Sequence, residues 1–230
     1  MTLDPMRDAL ERIRATRGFL LPHHGVLAVA LPDLHAAYEA MYRALTLEQR
    51  HLKILQKEMV WVAMLAACEE PVGTHHVAKF RAAGGTEAMA ASLFRIVGWA
   101  AGARRYACLA QEWQGLFPGT PAAPEYVTGL RVLLANGVVD EGTARLALIA
   151  IHTACDEPWG LAAEIEAAYA VGVAEPCIAE AMSLAIWPRG VNPFVRATAV
   201  WLSLMQQGRV IPSPAFLAWA ETPGQGRFEG

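Results

Sequence analysis

Charge is scarce in this chain. Only 18% of its 230 residues are Asp, Glu, Lys or Arg, and the formal net charge is −3 with no basic block. A nucleic-acid-binding surface needs a clustered positive field, so no nucleic-acid partner is expected. Long apolar runs are missing too. The longest, Met59 to Cys68, falls well short of the roughly 20 residues a membrane-spanning helix requires, so no membrane span is expected. The N-terminus reads Met-Thr-Leu-Asp-Pro-Met-Arg-Asp, with no apolar stretch behind a basic start, and no secretory signal is expected. Cys68, Cys108, Cys155 and Cys177 include no close pair, which fits a reducing cytoplasm better than a disulfide scaffold. No segment alternates with period two in β-branched residues, which argues against a sheet.

What is present is apolar and helical. Hydrophobic residues are 54% of the chain, and surplus apolar surface of that order usually ends in a subunit contact, so a homo-oligomer is expected. Asp4 can cap a helix beginning at Pro5, and Gly18 stops it after Arg17. A Pro-bounded loop follows from Leu20 to Gly25, and Pro32-Asp33 starts the next helix. Leu52 to Ala67 reads as a long apolar helix. Pro71 to Ala83 reads as another, closed by Gly84-Gly85, and Thr86 to Trp113 continues the helical pattern. Glu221 to Gly230, with three Gly and one Pro, reads as a flexible tail.

The chain also resembles itself. Ala67-Cys68-Glu69-Glu70-Pro71-Val72-Gly73 recurs as Ala154-Cys155-Asp156-Glu157-Pro158-Trp159-Gly160, and at the same offset of 87 Gly85 falls on Gly172. Gly18-Phe19-Leu20-Leu21-Pro22 echoes Gly115-Leu116-Phe117-Pro118, and Trp99 and Trp113 match Trp187 and Trp201. Two tandem helical copies are expected, 1–113 and 114–220, followed by the tail 221–230. In each repeated block Pro suits the first helical position, and neighbouring acids favour the positive end of the helix dipole.

Glu58 is the first residue that chemistry could use. Its helical neighbours Ile54, Leu55, Trp61 and Val62 are all apolar, so its carboxylate faces protein more than water. Desolvation favours protonation, which suits a general acid or base. The competing reading is a boundary acid that reaches out to solvent beside Lys57. His75 and His76 follow on the next helix about 100° apart, so both cannot address one atom. His76 shares the apolar face of Val72 and Phe80, while His75 lies nearer solvent. A satisfied core histidine remains the alternative for His76. No His-x-x-x-His or His-x-x-Glu-His pattern occurs, so no metal is expected.

The stretch KEMVWVAMLAACEEPVGTHHVAKFRAAGGTEAM carries a Glu on an apolar helix, a turn, and a His eight residues before a Gly (Glu58, His76, Gly84). With the segment Gly18 to Pro22, it resembles the alkylhydroperoxidase D / carboxymuconolactone decarboxylase superfamily. The Cys-x-x-Cys-x-x-x-His pattern of the peroxidase branch is absent: aligned on His76, its cysteine positions hold Glu69 and Val72. Cys68 is expected to have no neighbour to resolve it and no electropositive setting, since Glu69 and Glu70 oppose thiolate formation, so peroxidase activity is not favoured. The resemblance implies an all-α fold, a dimer or trimer, and cofactor-free acid/base chemistry on a small carboxylated or lactone-like metabolite. Glu58 would be the general acid/base, and His76 its partner or the base facing the substrate. Trp61 would form an apolar wall, with Cys68 and His75 as further substrate contacts. The alternatives are a hydroperoxide reductase using Cys68 with an external thiol, and a non-catalytic binding or assembly protein. In the second copy Arg145 stands in place of Glu58 and Ala163 in place of His76. A surface ion pair with Glu141 would explain Arg145, and His152, at the position of Leu65, is no substitute.

Overall fold

The computed structural model describes residues 3–135 and 137–226. It is all-α, with no strand among the described residues. The chain divides into two compact units, Met1–Glu48 and Gln49–Gly230.

The first unit holds α1 (Leu3–Arg17), α2 (Pro22–Ala30) and α3 (Pro32–Tyr42), closed by a π-helical turn at Arg43–Leu47. Helix α1 begins at Leu3 rather than Pro5, and ends where Gly18 adopts φ +78°. The segment expected to loop through Gly25 is helical from Pro22 onward. Proline tolerates the first turn because its missing N–H would have had no partner there. His24 Nδ1 accepts the Leu21 N–H at 3.3 Å from the third helical position, a capping role usually taken by Glu or Gln.

The second unit is built on two buried helices, α4 (Ile54–Ala67) and, later in the chain, α9 (Glu141–Ala154). Every residue from Lys57 to Leu65 and from Thr143 to Ala154 is buried. A helix buried all round belongs at the centre of a bundle, and the few polar side chains within these two stretches are buried as well. The two lie side by side and parallel. Gln56 Nε2 donates to Thr143 Oγ1 at 2.9 Å near their starts, and Cys155 Sγ approaches the Ala67 carbonyl at 3.9 Å at their ends. Between them in sequence run α5 (Thr74–Ala82), α6 (Glu87–Ala100), α7 (Ala103–Cys108) and α8 (Ala122–Leu133). After α9 come α10 (Pro158–Ala170), α11 (Glu175–Ser183), α12 (Ile186–Arg189), α13 (Val191–Gln206) and α14 (Pro214–Glu221). Helices α5 and α6 pack on α4, while α10, α11 and α13 pack on α9. The helix expected from Thr86 to Trp113 breaks after Ala100 and ends in a π-helical turn at Leu109–Trp113. Of the expected tail, residues 227–230 lie outside the described residues. Gln225 Nε2 donates to the carbonyls of Trp219 (2.5 Å) and Thr222 (2.9 Å).

The repeated sequence block folds the same way twice. Glu69 and Asp156 both take the left-handed conformation, with φ 55° and 54°. Glu70 accepts the Val72 N–H, and Glu157 accepts the Gly160 N–H. Gly73 leaves room for Leu65, as Gly160 does for His152. The second helices differ by one residue. Pro71–Gly73 forms a separate 3₁₀ turn before α5, whereas α10 is α-helical from Pro158. The left-handed glycine that ends α5 is therefore Gly84 (φ 94°), and it corresponds to Gly172 (φ 75°), so the match of Gly85 to Gly172 is corrected. With that slip, His76 falls on Glu164 and not on Ala163. The other echoes differ in setting. Pro22 opens a helix, but Pro118 sits in a turn ahead of α8. Trp113 is 53% exposed, whereas Trp201 is 2% exposed.

Candidate functional site

Two adjacent helices in the second unit bring Glu58 and His76 together. Helix α4 ends at Ala67, the left-handed Glu69 reverses the chain, and α5 returns antiparallel along α4. Glu58 lies nine residues before the end of α4 and His76 two into α5. His76 Nδ1 and Glu58 Oε2 are 2.8 Å apart, so the expected contact is present and direct. Trp61, one helical turn beyond Glu58, stacks on the imidazole with ring centroids 4.2 Å apart and planes at 21°. His75 packs against the His76 ring from the half-buried edge, with centroids 4.3 Å apart.

The hydrogen bond fixes the tautomer. A carboxylate only accepts, so Nδ1 carries the proton and donates it to Glu58. Burial pulls the His76 pKa below its ordinary 6.5, while the hydrogen bond and charge of Glu58 resist that fall. The ring is thus neutral at neutral pH, and Nε2 presents a lone pair. Nε2 has no hydrogen-bond partner, and neither do the buried Trp61 Nε1 and Lys79 Nζ. Burial also depresses the Lys79 ammonium, opposed by the Glu58 charge. One acceptor and two donors, all shielded from water, stand around one acid–base pair. Both side chains are sealed from solvent: His76 is 1% exposed and Glu58 4%. Glu58 does not reach out beside Lys57, because Lys57 is itself buried and paired with Glu180 at 3.2 Å.

The second hairpin has not lost its polar pair; it carries one of opposite order. Arg145 is 0% exposed, which corrects the surface ion pair expected for it. Its guanidinium donates to Glu164 Oε2 and Glu141 Oε1, both at 2.8 Å, and to the Val127 carbonyl at 2.9 Å. Burial pushes the Glu164 carboxyl up to about 7 against the pull of Arg145. So α4 offers an acid to a base on α5, while α9 offers a base to an acid on α10. The one-residue slip between hairpins hides this in the sequence.

Cys68 also has a neighbour. Because α4 and α9 are parallel, it meets Cys155, 87 positions later, and the hydrogen bond from that thiol is the largest influence lowering its pKa from 9.0 to about 6. Arg189, whose Nη2 donates to the Cys68 carbonyl at 3.1 Å, adds a positive charge that outweighs Glu70. The Cys155 thiol is pushed the other way, upward, by the same contact and by burial. The expectation that Cys68 lacks a partner thiol and an electropositive setting is therefore corrected.

Sequence reasoning missed further groups. Glu180 Oε2 accepts the N–H groups of His51 (2.7 Å) and Leu52 (2.9 Å) at the entry to α4. His152 is fully buried, and that burial pushes its pKa down to about 3. Its Nε2 lies 3.0 Å from Tyr126 Oη. It borders a cavity of about 230 Å³ with Glu157, Leu161, Arg196 and Val200. Among the described residues no three His, Cys, Asp or Glu side chains converge as metal ligands, and none of the described helices is long and apolar enough to cross a membrane. No family model matches this chain, and no curated protein or solved structure matches it.

Proposed function

We propose that Glu58 and His76 form a cofactor-free acid–base site, with His76 Nε2 as the proton acceptor and Glu58 as the group that orients it. The observation that carries this reading is the Nδ1–carboxylate hydrogen bond of 2.8 Å combined with an unpartnered Nε2. An imidazole held by a carboxylate on one nitrogen is ready to take a proton on the other, and the carboxylate stabilises the imidazolium that results. The substrate is a small carboxylated or lactone-like metabolite, in keeping with the resemblance to the carboxymuconolactone decarboxylase branch. The Lys79 ammonium and Trp61 N–H supply donors for its oxygens. His76 is closed off from solvent, so substrate entry requires a local opening of the structure around it.

The reading includes two tandem copies of one helical unit, supported by the twice-folded block and by the contacts of Gln56 with Thr143 and Cys68 with Cys155, each 87 apart. It also includes a cytoplasmic dimer or trimer. Exposed Val72, Val77 and Phe94 supply apolar surface on and before α5 and on α6.

The test is turnover of a panel of carboxylated lactones, followed by product release, for the wild type, His76→Asn and Glu58→Gln. The reading expects His76→Asn to abolish turnover with an unchanged helical spectrum. Glu58→Gln should lower it by about 10²–10⁴-fold, the usual range for a misdirected acid–base group. Turnover that survives His76→Asn would refute it. A ligand-induced melting shift with no turnover in the wild type would favour the non-catalytic binding protein.

A further inference from the structure

We propose that Cys68 and Cys155 are a redox-active dithiol, closed to a disulfide by exchange with a small-molecule disulfide and reopened by a thiol reductant. The two thiols are brought together by the parallel packing of α4 and α9, where each ends its helix at the same point of the twice-folded block. Cys155 Sγ sits 3.9 Å from the carbonyl of Ala67, the residue bonded to Cys68. Cys155 is partly exposed and Cys68 lies just beneath the surface, beside the exposed Glu69 and Asp156. Arg189 stands at the Cys68 backbone and supplies positive charge, and Arg104 adds to it near Cys155. The site is thus a thiol pair near the surface with two arginines beside it, set among the carboxylates of Glu69, Glu70 and Asp156, separate from the Glu58–His76 pair and independent of its function.

The chemistry divides the roles. Cys68 is the attacking thiolate, its pKa brought down to about 6 by the Cys155 hydrogen bond and by Arg189. Its sulfur attacks one sulfur of the small disulfide, that S–S bond breaks, and the first small thiolate leaves. Cys155 then gives up its proton to that leaving thiolate. Its sulfur attacks the Cys68 sulfur of the mixed disulfide and expels the second small thiolate, which takes up from solvent the proton that Cys68 released on ionising. Two protein thiols are oxidised, one small disulfide is reduced to two thiols, and the electrons balance. At pH about 7 the thiolate fraction of Cys68 is about 90-fold that of a thiol left at 9.0. The lower basicity gives back about 20-fold of this, leaving an attack about four-fold faster.

The test treats the reduced full-length chain with oxidised glutathione and maps the cysteines by non-reducing peptide mass spectrometry. The proposal expects the loss of two free thiols and a single crosslinked peptide joining Cys68 to Cys155, reversed by dithiothreitol. Cys155→Ser should instead hold one glutathione on Cys68, and Cys68→Ser should give no crosslink. Arg189→Ala should slow the reaction of Cys68 while leaving that of Cys108 unchanged. The proposal is overturned if the wild type carries glutathione adducts without a crosslink, if Cys108 or Cys177 reacts ahead of Cys68, or if Cys155→Ser leaves Cys68 unmodified.

Discussion

Replacing His152 with Gln isolates the cost of keeping a neutral imidazole at the centre of the second unit. His152 is fully buried and its pKa is pushed from 6.5 to about 3 by loss of solvation. The folded state therefore binds fewer protons than the unfolded chain below about pH 6.5. Its contribution to stability is complete above that pH and is lost as pH falls toward 3. At about pH 4.5 the loss is two pH units at 1.36 kcal/mol each, or about 3 kcal/mol. Gln does not titrate and keeps a group able to meet the Tyr126 hydroxyl. Glu164, with its carboxyl raised to about 7, works in the opposite direction over part of this range. It is the same in both proteins and cancels in the comparison. Urea unfolding followed by circular dichroism at about pH 7 and about pH 4.5 gives a stability change for each protein. The wild type should lose about 3 kcal/mol more than His152→Gln between the two pH values. A double difference below about 1 kcal/mol would mean that His152 is hydrated or already protonated in the fold, and the burial argument would fail.

Four more outcomes follow from the same structure. Glu58→Gln removes the charge that holds the His76 pKa up and leaves only a neutral amide oxygen to accept from Nδ1, so a nitrogen-detected NMR titration should place His76 lower in the variant than in the wild type; a rise would contradict the tautomer assigned to the pair. Gly160→Ala puts a methyl carbon 2.6 Å from Glu157 Oε2 and 2.8 Å from the His152 ring, and should lower stability by about 1–3 kcal/mol in chemical denaturation. Gly98→Ala, exposed in the last turn of α6 with nothing within 4 Å of the added carbon, should raise it by about 0.5 kcal/mol. Oxidation of Cys68 to Cys155 closes a loop of about 90 residues, worth about 4.6 kcal/mol in the chain-entropy model, and calorimetry should show the melting temperature rising by on the order of 10 °C.

Much of this architecture is legible from punctuation. Gly18, Pro32, Pro71, Pro158 and Gly172 mark helix ends because each sets a backbone angle that needs no tertiary help. The meeting of Glu58 with His76 is legible too, since a short turn forces the two helices antiparallel and fixes which turns face each other. What the sequence conceals depends on packing between distant segments. Cys155 reaches Cys68 only because α4 and α9 run parallel. Arg145 reads as a surface residue because its partner Glu141 is local, whereas its buried partner Glu164 is visible only after the one-residue slip between hairpins. Glu180 caps the entry to α4 from 128 positions away, beyond the reach of any local pattern.

The side-by-side placement of α4 and α9 also decides what this chain can be cut into. Val60, Ala63 and Met64 on one helix, and Ala144, Leu148 and Ile151 on the other, belong to a single continuous core. A fragment ending near Trp113 would expose the whole flank of α4, and its complement would expose α9 in the same way. Neither piece holds a sealed interior by itself. Severed in the connection before α8, the two pieces would stay unfolded apart and recover structure on mixing, which makes the second unit a natural scaffold for split-protein complementation.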